Sequence, residues 1–339
     1  MANEPNTRVA IACQGGGSHT AFTAGVLQGM LSNLPRDVEV VALSGTSGGA
    51  VCAALAWDGI LRNDPKRAIE HLGGFWGAMS ASDWNDQLAN QTLMTMMSLR
   101  DLMVLPEISP YHLPTWGEDR YREILHQHFD FEELRRLARR PGAPVLHIGA
   151  VEVLSGHFEV FTGDDLSADT LLASAAIPEL FRAVPVEGRG VFWDGLFSQN
   201  PPIHGLADLG IDELWLIQIN SSTCARVPTE THEILDRRNA LAGNLSMEQE
   251  LGFIESINRA LAKGLLTGNR YRPIRVTRIS LERELGYQSK LDRRPELLSE
   301  LREFGKAKCR WFLRERAARL ASRMDGGPGT RPRPEASPA

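Results

Sequence analysis

Along the first sixty residues, short apolar runs alternate with longer stretches of mixed character. Residues 8–13 (RVAIAC) and 38–44 (VEVVALS) are closed off by small residues and are too short for helices, so they predict buried strands. Each leads through a glycine-bearing turn into helical spacing, over residues 18–34, where Ala21, Val26 and Leu27 are among the apolar positions, and over the alanine-rich residues 48–60. Strand, loop, helix, strand, turn, helix is the order of parallel strands covered by helices. Residues 42–61 have the length of a bilayer span, about 20 residues. Ser44, Gly45, Thr46, Ser47, Gly48, Gly49 and Asp58 interrupt them, and a buried strand–turn–helix is expected instead.

Further on, residues 65–137 are mainly helical in spacing, broken by a proline-bearing loop at 106–114. Residues 145–153 and 157–161 predict two strands joined at Ser155-Gly156, a hairpin signal. A short helix over 170–176 stops before Pro178, and a brief strand at 191–193 ends in Asp194-Gly195. Strands are expected at 214–219 and 274–281, with a helical insert at about 233–267 between them, and a final amphipathic helix at 295–323. The Gly- and Pro-rich tail, 325–339, is expected to be disordered. No repeat and no linker precedes it, so residues 1–323 are expected to form one α/β domain.

With 42% hydrophobic and 23% charged residues among 339, the composition is that of an ordinary globular protein. A net charge of −5 gives no reason to expect a nucleic-acid partner. Cys13, Cys52, Cys224 and Cys309 form no C-x-x-C pair, which argues against a zinc cluster or disulfide framework and suits a reducing compartment. The polar first seven residues carry no signal-like pattern, so a cytoplasmic location is expected.

Two glycine-rich turns carry candidate chemistry. Gly45-Thr46-Ser47-Gly48-Gly49 fits G-x-S-x-G at a strand–helix junction. A serine on so sharp a turn needs small residues two positions away on each side, Gly45 and Gly49, because the two backbones pass close together. The following helix puts its positive end near the hydroxyl. The plain alternative is a glycine-rich turn with no chemistry. The second turn, Gln14-Gly15-Gly16-Gly17-Ser18-His19-Thr20, also follows a strand and opens a helix. As a dinucleotide loop it lacks the third glycine, having Thr20 there, and the next strand ends in serine rather than an acid. As an oxyanion hole, Gly15, Gly16 and Gly17 let main-chain N–H groups approach an acyl oxygen. Parallel neighbouring strands would bring both turns to one sheet edge, where ligands of open α/β sheets bind.

A serine nucleophile needs a base within hydrogen-bond reach. Asp194, at the end of the 191–193 strand, is one candidate, and burial would raise its basicity. His204 is the other, because Ser47, Asp194 and His204 follow the order of an α/β-hydrolase triad. That fold, however, places several strands before its nucleophile, where here there is one.

Together these stretches resemble the patatin-like phospholipase family, especially its bacterial members. The likeness covers roughly residues 8–281 and rests on QGGGSHTAFTAG, ALSGTSGGA and ASAAIPELFRAVPVEGRGVFWDGLFSQNPP, with ISPYHL at 108–113 in support. It implies a three-layer α/β fold with a mostly parallel central sheet flanked by helices. It further implies Ser47 as nucleophile, Asp194 as its dyad partner and Gly16 and Gly17 among the oxyanion-hole amides. The implied activity is hydrolysis of acyl groups from lipid or other acyl-ester substrates, with no metal and no cofactor. Two departures stand out: the family usually has Arg or Lys and then Gly where His19 and Thr20 stand, and a small residue where Leu196 stands. They keep open a catalytically impaired lipid-binding or effector module, with a dinucleotide-binding oxidoreductase a further alternative. Two further stretches bear on lipid contact: the Met-rich segment 94–103, as an acyl-pocket lining or lid against plain helical core, and the basic amphipathic stretch 301–323, as a peripheral membrane contact against a solvated exterior.

Overall fold

The computed structural model describes residues 6–102, 108–178, 180–267, 271–283 and 285–324, and the expected disordered tail lies outside them. In chain order the first half comprises β1 (Thr7–Cys13), α1 (Ala21–Ser32), β2 (Val38–Thr46), α2 (Gly48–Leu61), α3 (Pro65–Met79), α4 (Trp84–Leu102), α5 (Trp116–His128) and α6 (Phe131–Ala138). Next come β3 (Val145–Glu152), β4 (Phe158–Thr162), α7 (Ala168–Ala175), β5 (Val184–Val186), β6 (Gly190–Asp194) and α8 (His204–Ala207). The chain closes with β7 (Glu213–Gln218), α9 (Thr231–Ala262), β8 (Arg275–Ser280) and α10 (Pro295–Met324). A 3₁₀ turn, Gly17–Thr20, precedes α1. The expected helical insert is α9, and the hairpin turns at Gly156, whose φ of 72° suits glycine. β5 is an addition: three residues centred on Pro185 carry too little pattern to be read as a strand.

The strands form one eight-stranded sheet in the order β5-β6-β3-β2-β1-β7-β8, with β4 paired to β3 off that path. β3, β2, β1, β7 and β8 run parallel, while β4, β5 and β6 make the antiparallel pairings. The period of two along the strands builds a core on each face. β1 sends Val9, Ile11 and Cys13 to one side and Ala10 and Ala12 to the other, and β7 likewise divides Trp215 and Ile217 from Leu214 and Leu216. α1, α2, α3 and α10 cover the first face, while Met247, Leu251 and Ile254 of α9 cover the second. The result is the three-layer arrangement. No helix of the described residues is long and apolar enough to cross a membrane.

α10 settles one of the expectations about membranes. Leu301, Phe304, Cys309 and Phe312 are buried in the first-face core, so its apolar side is not available to a bilayer. Glycines bring α10 onto α1: a Cβ at Gly25 would lie 2.0 Å from the Arg302 carbonyl oxygen, and one at Gly305 2.2 Å from that of Phe22. Some of its basic residues are also engaged, Arg316 with Glu213 and Asp37 and Lys308 with Glu282. Of the Met-rich segment, Met94 lines a groove beside Asn90 and Asp292, and Met103 lies outside the described residues.

The pairing around β3 positions the site. β2 pairs with residues 145–149 of β3, β6 with 150–152, and β4 with 147–151. Because β4 overlaps both of the others, it occupies one edge of β3, and β2 and β6 share the other edge in succession. The backbone agrees: the Glu152 N–H points to β4 (His157 O, 2.9 Å) and the Val153 N–H to β6 (Val191 O, 2.8 Å). β2 and β6 therefore meet end to end, Thr46 opposite Gly149 and Asp194 opposite Ala150.

Candidate active site

Ser47 follows directly from Thr46 at that meeting point, with φ 57° and ψ −133°, outside the conformations that L-residues ordinarily take. Such backbone persists only where its surroundings hold it. The Ser47 N–H donates to the Ser174 hydroxyl at 3.0 Å, and that hydroxyl donates to the Gly149 carbonyl at 2.7 Å. The Thr46 hydroxyl donates to the Gln199 carbonyl at 2.7 Å. Gly45 and Gly49 flank the turn at van der Waals limit: a Cβ on Gly45 would lie 2.5 Å from the Gly49 oxygen, and one on Gly49 2.4 Å from the Cys13 oxygen.

Asp194 is buried and lines the same pocket as Ser47, where β2 and β6 meet. It also accepts the Leu196 N–H at 2.8 Å. Burial raises its pKa from 3.8 to about 7, against the opposing pull of the Leu196 N–H, the Ser47 hydroxyl and the Lys290 charge. It therefore ionises near neutrality in the pocket that Ser47 also lines.

The glycine loop lies beside this pair because Cys13 is opposite Gly45 in the β1–β2 ladder. Its three glycines differ. The Gly15 N–H donates to Asn200 Oδ1 at 2.7 Å, so that amide is already engaged and Gly15 is removed from the expected set of oxyanion donors. What Gly15 contributes is closeness, since a Cβ there would sit 2.9 Å from Ser47 Cβ. The Gly16 and Gly17 N–H groups have no acceptor among the described residues and open the 3₁₀ turn. Gly17 has φ 57°, and its Cβ position is closed by the Lys290 carbonyl oxygen at 2.2 Å.

Residues that pattern reading missed hold this loop. Buried Gln14 accepts the Ile219 and Asn220 N–H groups at 2.8 Å each, and donates to Asn244 Oδ1 at 2.8 Å and the Gly243 carbonyl at 3.2 Å. One amide side chain thus joins the ends of β1 and β7 to α9. Lys290, on the turn Tyr287–Leu291, donates from Nζ to Asn220 Oδ1 at 2.6 Å, and burial draws its pKa down to about 8. The pocket between them is about 340 Å³, lined by Gly15, Gly16, Gly17, Ser47, Asp194 and Leu196, with Ile177, Leu180, Lys290 and Leu235, Asp236, Arg238 and Asn239 of α9 also contributing. That size suits one small ligand or one acyl chain segment.

The departures at His19, Thr20 and Leu196 are absorbed locally. His19 is buried, with Nε2 2.7 Å from the Ser289 hydroxyl, which itself donates to the Gly286 carbonyl at 2.6 Å. His19 is therefore the donor of that bond. Burial, with the neighbouring Lys290 charge, lowers its pKa to about 3, so it stays neutral through the physiological range. The Thr20 hydroxyl donates to the Gly17 carbonyl at 2.6 Å. Leu196 points toward Gly243 of α9, where a Cβ would lie 3.3 Å from Leu196 Cδ1, so a missing side chain on the helix makes room for the extra one.

His204 lies elsewhere. With Arg8, Phe253, Tyr271 and Ile274 it lines a larger pocket, about 410 Å³, at the amino ends of β1, β7 and β8. Ser47 is at the carboxyl edge of the same sheet, so the serine–aspartate–histidine triad is excluded. The His204 main-chain N–H donates to Glu250 at 2.8 Å.

A mostly parallel α/β sheet with a strained serine turn, an adjoining buried carboxyl and a glycine loop at its carboxyl edge has the layout of a serine hydrolase. The family model for patatin-like phospholipases matches residues 11–207, and the chain belongs to that family. Among solved structures it is similar to VipD from Legionella pneumophila, at 14% identity over 90% of this chain and 66% of that one, TM-score 0.45. It is also similar to the type III effector protein ExoU, at 16% identity over 90% of this chain and 52% of that one, TM-score 0.38. A third likeness is to the ExoU–SpcU complex of the Pseudomonas aeruginosa type III secretion system, at 16% identity over 96% of this chain and 64% of that one, TM-score 0.29. The chain thus spans between about half and two thirds of the length of these structures. No curated protein matches it.

Proposed function

We propose that residues 1–323 form one serine acyl hydrolase domain that cleaves acyl esters of lipids with Ser47 and Asp194. The observation that carries this reading is the placing of Ser47 and the buried Asp194 side by side in one pocket, where β2 and β6 meet end to end. Ionised Asp194 takes the hydroxyl proton as Ser47 Oγ bonds to the acyl carbon, and the carbonyl electron pair moves onto its oxygen. The Gly16 and Gly17 N–H groups and the amino end of α2 stabilise that oxyanion. Collapse of the intermediate breaks the ester C–O bond, and Asp194 returns the proton to the departing alkoxide. Water, deprotonated by the same carboxylate, then releases the acid and restores the serine. No histidine is needed, because the desolvated carboxyl already has a pKa suited to general-base work near neutrality.

Fluorophosphonate labelling and release of fatty acid from acyl-ester lipids test the proposal together. Ser47→Ala should remove labelling and lower turnover by about 10⁴-fold or more, while circular dichroism and melting stay those of a folded protein. A Ser47→Ala protein that labels and hydrolyses like wild type would refute it.

A further inference from the structure

The geometry points to the rim of the Ser47 pocket as a docking surface for the face of a lipid bilayer. Residues 108–116 leave Ile108, Tyr111, Leu113 and Trp116 exposed, Trp116 by 79%. Four large apolar side chains in nine residues are more than the scatter of single hydrophobics that an ordinary surface carries. The segment is held in place. Arg182 donates to the carbonyl oxygens of Leu113 (2.7 Å) and Pro110 (3.4 Å), and the Ala183 N–H donates to the Tyr111 hydroxyl at 3.1 Å. Arg182 and Ala183 continue the stretch whose Ile177 and Leu180 line the pocket, so the apolar segment is clamped to one pocket wall.

α9 supplies another wall through Leu235, Asp236, Arg238 and Asn239. Its outward side carries exposed Ile234, Leu241 and Leu245, whose spacing of seven and then four puts them on one face of the helix. Both exposed apolar surfaces thus flank one pocket. Trp and Tyr, apolar bodies with polar tips, favour the membrane–water interface. Residues 108–116 themselves contain no Asp, Glu, Lys or Arg, so what this segment offers a bilayer is apolar surface. A bilayer is also the phase from which the substrate of the proposed reaction would enter, and in that respect the inference rests on that reading.

The test uses the full chain with phosphatidylcholine vesicles, in sedimentation and in hydrolysis, beside a soluble short-chain ester. Wild type should sediment with zwitterionic vesicles, and binding should persist at about 0.5 M salt, where surface charge is screened. Trp116→Ser should weaken vesicle partitioning and vesicle-lipid hydrolysis about tenfold, with soluble-ester turnover unchanged. Trp116→Phe should recover most of the loss, and a melting temperature equal to wild type excludes misfolding. Vesicle binding by Trp116→Ser,Ile108→Ser equal to that of wild type would overturn the proposal. So would binding that requires anionic lipid and disappears in salt, or a wild type that ignores vesicles but forms dimers that Trp116→Ser abolishes. Wild type that binds vesicles yet cleaves neither ester would refute the hydrolase reading and leave the docking surface standing.

Discussion

Replacing Asp194 by Asn tests the physical basis of the site without reference to any substrate. The carboxyl is raised from 3.8 to about 7 in the folded chain. A raised acid pKa means that folding is favoured while the group is protonated, so this stability is fully present below about pH 4 and is lost as pH rises through 7. Each pH unit in that window removes about 1.4 kcal/mol, or about 4 kcal/mol over the whole of it. From pH 5 to pH 8 the loss is about 2–3 kcal/mol, the curve flattening above 7. Asn keeps an acceptor for the Leu196 N–H but never ionises, so its stability carries no such dependence. Denaturant unfolding followed by circular dichroism, with both proteins at each pH, should show Asp194→Asn gaining about 2–3 kcal/mol on wild type between pH 5 and pH 8. The comparison cancels every other titrating group. A difference that stays flat would mean Asp194 ionises as an ordinary carboxyl, which removes the reason it could serve as base without histidine. If Asp194 is the base as proposed, kcat/KM of wild type should rise tenfold per pH unit up to about 7 and then level, since only an ionised carboxylate can accept the proton.

Two further substitutions probe the supports. Ser174→Ala leaves the Ser47 N–H and the Gly149 carbonyl without their buried partner, so it should cost about 1–3 kcal/mol in denaturant unfolding. The same variant should lower kcat with KM little changed, and unaltered kcat would show that the turn keeps its geometry unaided. His19 has its pKa lowered from 6.5 to about 3, so its contribution is fully present above pH 6.5 and is lost as pH falls toward 3. His19→Gln should therefore gain about 2 kcal/mol on wild type between pH 6.5 and 4.5, read by unfolding at the two pH values, and a constant difference would refute that origin.

How far the sequence discloses this molecule depends on the range over which each feature is decided. β1, β2 and the turns after them follow from runs of a few neighbours: apolar residues, then glycines, then helical spacing. The Ser47 turn is legible for the same reason. β5 was lost because three residues with Pro185 among them offer no alternation to read. The supports of the site were lost because they are long-range. Ser174 meets Ser47 across 127 positions, Asn200 meets Gly15 across 185, and Gln14 meets Ile219 across 205. Nothing in a local window marks one serine or asparagine as the partner of a distant amide. Hence local pattern groups Gly15 with its neighbours as an oxyanion donor, although Asn200 holds its N–H. Likewise, amphipathic spacing in residues 301–323 fits a bilayer and a core equally well, and only the close approach of Gly25 and Gly305 decides for the core.

The end-to-end junction of β2 and β6 links stability to chemistry. Two strands sharing one edge of β3 must both stop there, so the residues after Thr46 and at Asp194 leave the ladder at the same place and deliver a hydroxyl and a carboxyl to one point. The shelter that brings them together also strips water from the carboxyl, which makes it basic and makes its ionisation costly. The Leu196 N–H, the Ser47 hydroxyl and the Lys290 charge recover part of that cost, and they limit the basicity at about the value that general-base work near neutrality requires. A site more exposed to water would be more stable at pH 8 and a weaker base; one equally buried but without Lys290 would hold its proton at the pH where the proposed mechanism needs it to accept one.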